Sequence, residues 1–243
     1  MPNSSKAHSL WQITSQGDRC LSLVFGGDQI DVNTGQRCAA AAHALRAAQL
    51  RGITDIVPAF NSVAVHYEPR LFGVSTSFHR LSAEIDRILT EAIEHPSSST
   101  SARQIVVPVC YGGAHGPDLE EVATHCNLTP SEVIAIHSGQ PAYVFMLGFA
   151  PGAPYIGVHD PRLAIGRRAT PRTALPAGSV GIANLQTFIY PNVLPGGWRI
   201  IGATPLVLFD FVRDPPALFA PGDTVQFVPV SESDFIELQQ GAS

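Results

Sequence analysis

The stretch AYVFMLGF at residues 142–149 is a short β-rich run that ends in a glycine turn, and it opens a series of the same kind. Downstream come GIA (181–183), TFIY (187–190), WRIIG (198–202), PLVLFD (205–210) and TVQFVPV (224–230), each separated from the next by Gly/Pro-rich turns. Six or more short strands at this spacing suggest a closed barrel. The 21 glycines and 20 prolines of the 243-residue chain also fit turn-rich β structure better than a helical protein.

Upstream of the barrel runs the texture is different. CLSLVF (20–25) reads as a strand closed by Gly26-Gly27. Asn33 is placed to cap an alanine-rich helix from about Thr34 to Leu50 that Gly52 ends. Two β-rich runs, 53–59 and 62–67, flank Phe60-Asn61 as a hairpin. Phe78, Leu81, Ile85, Ile88, Leu89 and Ala92 recur at helical spacing over 77–94, and 105–109 is β-rich again. The order β-α-β-β-α-β is that of a split βαβ, or ferredoxin-like, unit. The stretch PSSSTSAR (96–103) cannot pack a core and reads as a long loop or linker. The expected organisation is therefore α+β: a flexible tail over 1–17, a ferredoxin-like βαββαβ domain over 18–103, and a barrel domain over 104–243.

Between the two domains' strands lie two helix starts. Gly116-Pro117-Asp118 opens one helix with acids in its first turn, and Thr129-Pro130-Ser131-Glu132 is a capping box for a second. The pair has helix-turn-helix spacing, but residues 131–138 carry no Arg, Lys, Asn or Gln to read base edges. A structural helical hairpin is the better reading. A net charge of −5 also argues against nucleic acid, which needs a basic footprint.

No apolar run approaches the ~20 residues of a membrane helix, and the N-terminal residues carry no secretory pattern. The four cysteines, Cys20, Cys38, Cys110 and Cys126, stand far apart and read as reduced, mostly buried thiols. Cytoplasm is the expected compartment, with no membrane and no nucleic-acid partner.

Few motifs carry chemistry by themselves. Ala177-Gly178-Ser179-Val180-Gly181 has nucleophile-elbow spacing, but strand-like runs surround it where a helix should follow, so a β-turn is favoured. The nine histidines show no metal-ligand spacing, no metal site is expected, and His115 reads as a solvated loop residue. No GxxxxGK[ST] phosphate loop occurs. The densest polar group is Arg167-Arg168-Ala169-Thr170-Pro171-Arg172, followed by Gln186, Tyr190 and Trp198-Arg199. Guanidinium groups bind carboxylate or phosphate bidentately, yet residue types alone leave an anion site and a solvated basic loop equally open.

Five stretches then line up in order: VPVCYGGAHGPDLEEVA (107–123), YVFMLGFAPGAPYIG (143–157), DPRLAIGRRATPRTALPAGSVGIA (160–183), QTFIYP (186–191) and PGGWRIIGATPLVLFD (195–210). Together they resemble the family that includes the B subunit of 5-oxoprolinase, allophanate hydrolase subunit 1 and the inhibitor of a sporulation histidine kinase. The sequence departs from the family pattern at Ala114-His115, Ala153, Asn184-Leu185, Phe188, Val193 and Ala203.

The resemblance implies that the barrel is cyclophilin-like. It implies a C-type partner subunit that is itself cyclophilin-like, and in the 5-oxoprolinase case a larger A-type subunit as well. The implied activity is that of a hydrolase subunit, inactive alone, in an assembly that opens the 5-oxoproline lactam to glutamate with ATP and Mg. The family also admits an allophanate hydrolase subunit, which needs no ATP, and a non-enzymatic kinase inhibitor. Catalytic residues stay unassigned. The match of the polar group with patterned family positions favours an anion site: Arg168 and Arg172 would face a carboxylate or phosphoryl group, walled by Gln186, Tyr190 and Trp198, in an assembly whose substrate is a small carboxylate or amide.

Overall fold

A burial rhythm of two organises the first sheet. Leu21 and Leu23, then Val63, Val65 and Tyr67, turn their side chains to one face and are buried there. The computed structural model describes residues 10–27, 29–72, 77–94 and 103–241 and divides into two units, 1–101 and 102–243.

In the first unit β1 (Gln12–Ser15), β2 (Cys20–Val24), β3 (Ile53–Pro58) and β4 (Ser62–Tyr67) form an antiparallel sheet in the order β1-β2-β4-β3. Helices α1 (Val32–Ala47) and α2 (Ser77–Glu94) supply the other half of the core. Leu81, Ile85 and Leu89 of α2 are buried on the expected stripe. Each contributes ~1.5–3 kcal/mol over an exposed position, whereas the exposed Arg87 pairs with Glu84 and Glu91 are solvated and contribute little. The α1 cap is Asp31 rather than Asn33: its carboxylate accepts from Thr34 N–H at 2.9 Å.

Two expectations need correction. The sixth element of the βαββαβ order, the run at 105–109, does not join this sheet. It is the centre of β5 (Gln104–Tyr111), which belongs to the barrel, where Val107 and Val109 are fully buried and six residues pair with β13 (Thr224–Pro229). The edge beside β2 is filled instead from the other end, by β1. Of the tail expected over 1–17, residues 1–9 lie outside the described residues and Gln12–Ser15 is a strand; Trp11 and Ile13 pack on the core, and Trp11 Nε1–H donates to Asp86 at 2.7 Å. The serine-rich linker lies outside the described residues except for Arg103.

The second unit is the expected closed barrel, with strand order β10-β7-β6-β13-β5-β12-β9. Its remaining strands are β6 (Ala142–Leu147), β7 (Pro154–Gly157), β9 (Ser179–Ala183), β10 (Gln186–Ile189) and β12 (Arg199–Ala203). β8 (Arg172–Leu175) and β11 (Leu194–Gly196) form a separate two-stranded ribbon. PLVLFD is no strand; Phe209 makes a single bridge to Ala217. Val107, Val144, Ile156, Val180, Ile182, Ile189, Ile201, Val225 and Phe227 share one core with helices α3 (Leu119–Cys126) and α4 (Pro130–Ser138). The capping box forms as read: Thr129 Oγ1 accepts from Glu132 N–H, and the Glu132 carboxylate accepts from Thr129 N–H. A final helix, α5 (Glu232–Gly241), buries Phe235, whose ring lies tilted against His115. The four thiols are free; Cys38 and Cys110 are buried, Cys20 and Cys126 only partly so. No helix among the described residues is long and apolar enough to cross a membrane.

The β9–β10 hairpin turns on Asn184 and Leu185, both left-handed at φ 51° and 63°. This is the backbone demand of a two-residue primed turn, usually met by Asn-Gly. The Leu185 carbonyl accepts from His159 N–H at 2.8 Å, so the turn also holds the chain that follows β7.

Candidate functional site

The polar residues singled out in the sequence do come together, but around a carboxylate of the chain itself. Gly116 approaches the Ile201 carbonyl so closely that a Cβ would meet it at 2.1 Å, and this lets the turn set Asp118 beneath β12. There Asp118 N–H donates to Ile200 O, and the Asp118 carboxylate accepts from Ile200 N–H at 2.7 Å. Arg172 grips both carboxylate oxygens at 2.7 Å, and Arg168 Nη1 adds a bond at 3.1 Å. Glu121 extends the network by accepting from Arg168 and from Arg199. Burial alone would raise the Asp118 carboxyl. The hydrogen bonds from Arg172 and from Ile200 N–H, with the two arginine charges, outweigh burial and hold it below the ordinary aspartate value.

The guanidinium forks expected to meet an external anion are thus filled from within, which explains why Asp118 makes no side-chain cap for α3. Arg167 is the exception. It makes no ion pair among the described residues, is exposed, and lies with its guanidinium carbon 5.3 Å from the Trp198 ring centroid.

The aromatic wall is real but closed. Gln186, Phe188 and Tyr190 share one face by strand alternation, opposite Thr187 and Ile189. Phe188, Tyr190 and Trp198 form a second cluster with Leu175 and Ile200 beneath the β8–β11 ribbon. Tyr190 is 1% exposed, and Gly196 leaves the space its hydroxyl occupies, since a Cβ there would sit 2.0 Å from it. Burial pushes the Tyr190 phenol up to about 12. Gln186 and Trp198 are buried as well, so these three side chains pack rather than line an open mouth. Ser179 is buried at the start of β9, with its hydroxyl donating to Pro176 O at 2.7 Å; the elbow geometry is absent and the turn reading stands.

Sequence reasoning missed a second polar group, because its members come from four distant elements and share no local spacing. Tyr111 on β5, His137 on α4, Thr187 on β10 and His159 after β7 form a chain inside the barrel. The Tyr111 hydroxyl lies 2.7 Å from His137 Nδ1, His137 Nε2 lies 2.8 Å from Thr187 Oγ1, and His159 Nε2 lies 2.6 Å from the same oxygen. His137 and Thr187 are fully buried, and the His137 ring lies tilted against Phe227 with centroids 4.3 Å apart. Burial, and then the neighbouring His159, holds His137 well below the ordinary histidine value. Burial brings His159 down to about 4 and raises the Tyr111 phenol. Both rings are therefore neutral at pH 7, each with one N–H and one lone pair.

His159 also lines a cleft of about 670 Å³ with Glu132, Gln140, Val158, Asp160 and Arg162. Arg162 is bound to Asp160 at 2.8 and 3.0 Å, and Glu132 is held by its capping box. The charges of the cleft are answered internally. Among the described residues no group of three or more His, Cys, Asp or Glu side chains could hold a metal ion.

Comparison with known proteins places this geometry. The family model described as carboxyltransferase domain, subdomain C and D, matches residues 11–219. The B subunit of 5-oxoprolinase from Bacillus subtilis (strain 168) is 42% identical over 233 residues, which cover 93% of this chain and 95% of that protein. The crystal structure of TTHA0988 matches with a TM-score of 0.74 at 34% identity over 88% of this chain, and this chain spans 40% of its length. The K. lactis urea amidolyase structure matches with a TM-score of 0.74 over 96% of this chain and 15% of its own, at 21% identity, which is a likeness of fold alone.

Proposed function

This chain belongs to the carboxyltransferase-domain family, subdomain C and D, and on that premise we propose that it serves as the B-type component of a 5-oxoprolinase assembly, opening the 5-oxoproline lactam to glutamate with ATP hydrolysis. The observation that carries the proposal is the end-to-end match to the B subunit of a 5-oxoprolinase, over 93% of one chain and 95% of the other. The barrel is read as cyclophilin-like, and its partners as a C-type protein and a larger A-type protein of the same assembly. Exposed apolar side chains on the second unit, among them Phe149, Val193, Phe211 and Val212, suit a chain that meets partners. The compartment proposed is the cytoplasm.

ATP and Mg belong to the assembly. Arg168 and Arg172, the guanidinium groups that would have suited phosphoryl oxygens, are engaged by Asp118, and the proposed reading assigns ATP hydrolysis to a partner. The isolated chain is expected to be inactive, since Ser179 is buried and donates its hydroxyl to a backbone carbonyl. The test is ATP-dependent 5-oxoproline turnover by the co-purified components, with each omitted in turn. Turnover that needs this chain supports the reading; full turnover without it, or turnover by this chain alone that Ser179→Ala abolishes, overturns it.

A further inference from the structure

The buried Tyr111–His137–Thr187–His159 chain has no structural reason to be polar. An apolar set of the same shape would fill the barrel without burying two imidazoles, and such networks are tolerated only when every member is satisfied. Three members are satisfied by one another. The fourth, His159, is nine-tenths buried, gives Nε2 to Thr187, and has no partner for Nδ1 among the described residues. That nitrogen is not among the sealed side-chain atoms that lack partners, and its ring lines the cleft.

We propose that the cleft is a binding site for a small neutral amide, held through His159 Nδ1, and that Thr187 couples the occupancy of this site to the tautomer of His137. The ligand class follows from what the cleft leaves unanswered. Arg162, Asp160 and Glu132 already have partners, so neither a strong anion nor a cation finds a free counter-charge. The groups without internal partners among the described residues are the His159 ring nitrogen and the exposed Gln140 side chain, and both can donate or accept. An amide presents the matching pair, a carbonyl acceptor and an N–H donor. The coupling follows from proton bookkeeping. In one order Tyr111 donates to His137 Nδ1, His137 Nε2–H donates to Thr187, and Thr187 donates to His159 Nε2, leaving N–H at His159 Nδ1. In the other order His159 Nε2–H donates to Thr187, Thr187 donates to His137 Nε2, and His137 Nδ1–H donates to Tyr111, leaving Nδ1 bare. A ligand carbonyl at Nδ1 selects the first order and a ligand N–H selects the second.

The proposal rests on the amide-hydrolase reading but is tested without turnover. Ring ¹⁵N spectra of the full chain are followed while 2-pyrrolidinone, a neutral lactam, and separately acetamide, is added. The expected result is a saturable change in the ring nitrogens of His159 and His137 together. His159→Leu should weaken binding at least tenfold. Thr187→Val should keep the His159 response and lose that of His137, while Thr187→Ser, which retains the hydroxyl, should keep both. If neither amide moves His159, or if His159→Leu binds as well as the native chain, the site is refuted. A His137 response undiminished in Thr187→Val refutes the coupling, and should that variant not fold, so does loss of the response in Thr187→Ser. Binding of acetamide without 2-pyrrolidinone would retain the site and count against a lactam as its occupant, and turnover by the assembly with a silent His159 would refute the site while leaving the 5-oxoprolinase reading intact.

Discussion

Replacing Asp118 by Asn is the sharpest test of the arginine network. The carboxylate is 3% exposed and takes four hydrogen bonds, two from Arg172, one from Arg168 and one from Ile200 N–H. Asparagine keeps the volume and one acceptor for Ile200, but turns an NH₂ group toward a guanidinium. Removing one partner of a buried pair costs ~3–5 kcal/mol. Here the arginine side chains are 29–30% exposed and regain water, so the lower part of that range or somewhat less applies. A loss of ~2–3 kcal/mol corresponds to roughly 5–10 °C in the unfolding midpoint of a unit this size. In a Trp11→Phe background, Trp198 fluorescence reports the second unit by itself, and thermal melts at pH 7 give the difference directly. Because the folded carboxyl lies below its unfolded value, the contribution is fully present above about pH 4 and fades only as pH falls further. The difference between native and variant should therefore be flat from pH 5 to 8. A loss below ~0.5 kcal/mol, accompanied by a gain in phosphate binding, would mean that the arginines serve an external anion after all.

Three further outcomes are expected. Leu185→Gly should stabilise the second unit by ~1 kcal/mol, since a left-handed non-glycine residue costs about that much; a lower urea midpoint in the variant would show that Leu185 packing outweighs the strain. Thr187→Val keeps the shape but strands two imidazole nitrogens, and should cost ~1–3 kcal/mol in urea unfolding. The histidines set a separate acid limit. Both are held below 6.5 in the folded chain, so the unfolded chain takes up protons first as pH falls below about 6.5. Stability should drop by ~1.4 kcal/mol per pH unit for each histidine as pH falls further, with the His159 contribution levelling off near about pH 4. His159→Gln should flatten that slope, and an unchanged slope would show that other groups govern it.

The barrel was legible because its strands are short, β-rich and punctuated by turn residues, and α2 because six apolar positions keep one helical stripe. The capping box at Thr129 needs only four residues and was read correctly. β1 was missed because QITS carries a single apolar inward position, and its pairing depends on Trp11 and on β2. The run at 105–109 was read as a strand but assigned to the wrong sheet, since its pattern says nothing about a partner 120 residues away. The arginines were found as a cluster, yet their partner Asp118 had been read as a helix-start acid. Local spacing could not connect them. His137 and His159 escaped for the same reason, being bridged by Thr187 at separations of 50 and 28 residues.

The parallel pairing of β5 with β13 has a consequence for synthesis on the ribosome. Residue 104 emerges 120 residues before its partner at 224, an interval of roughly 6–24 s at ordinary elongation rates. Through that interval the nascent second unit holds an unclosed sheet, with the β13 side of β5 unpaired throughout and open to any neighbouring chain. The first unit, whose last strand ends at Tyr67, has no such wait. Polysome crowding and fast translation should therefore lower the yield of the second unit selectively, and slower elongation or a chaperone that shields edge strands should restore it.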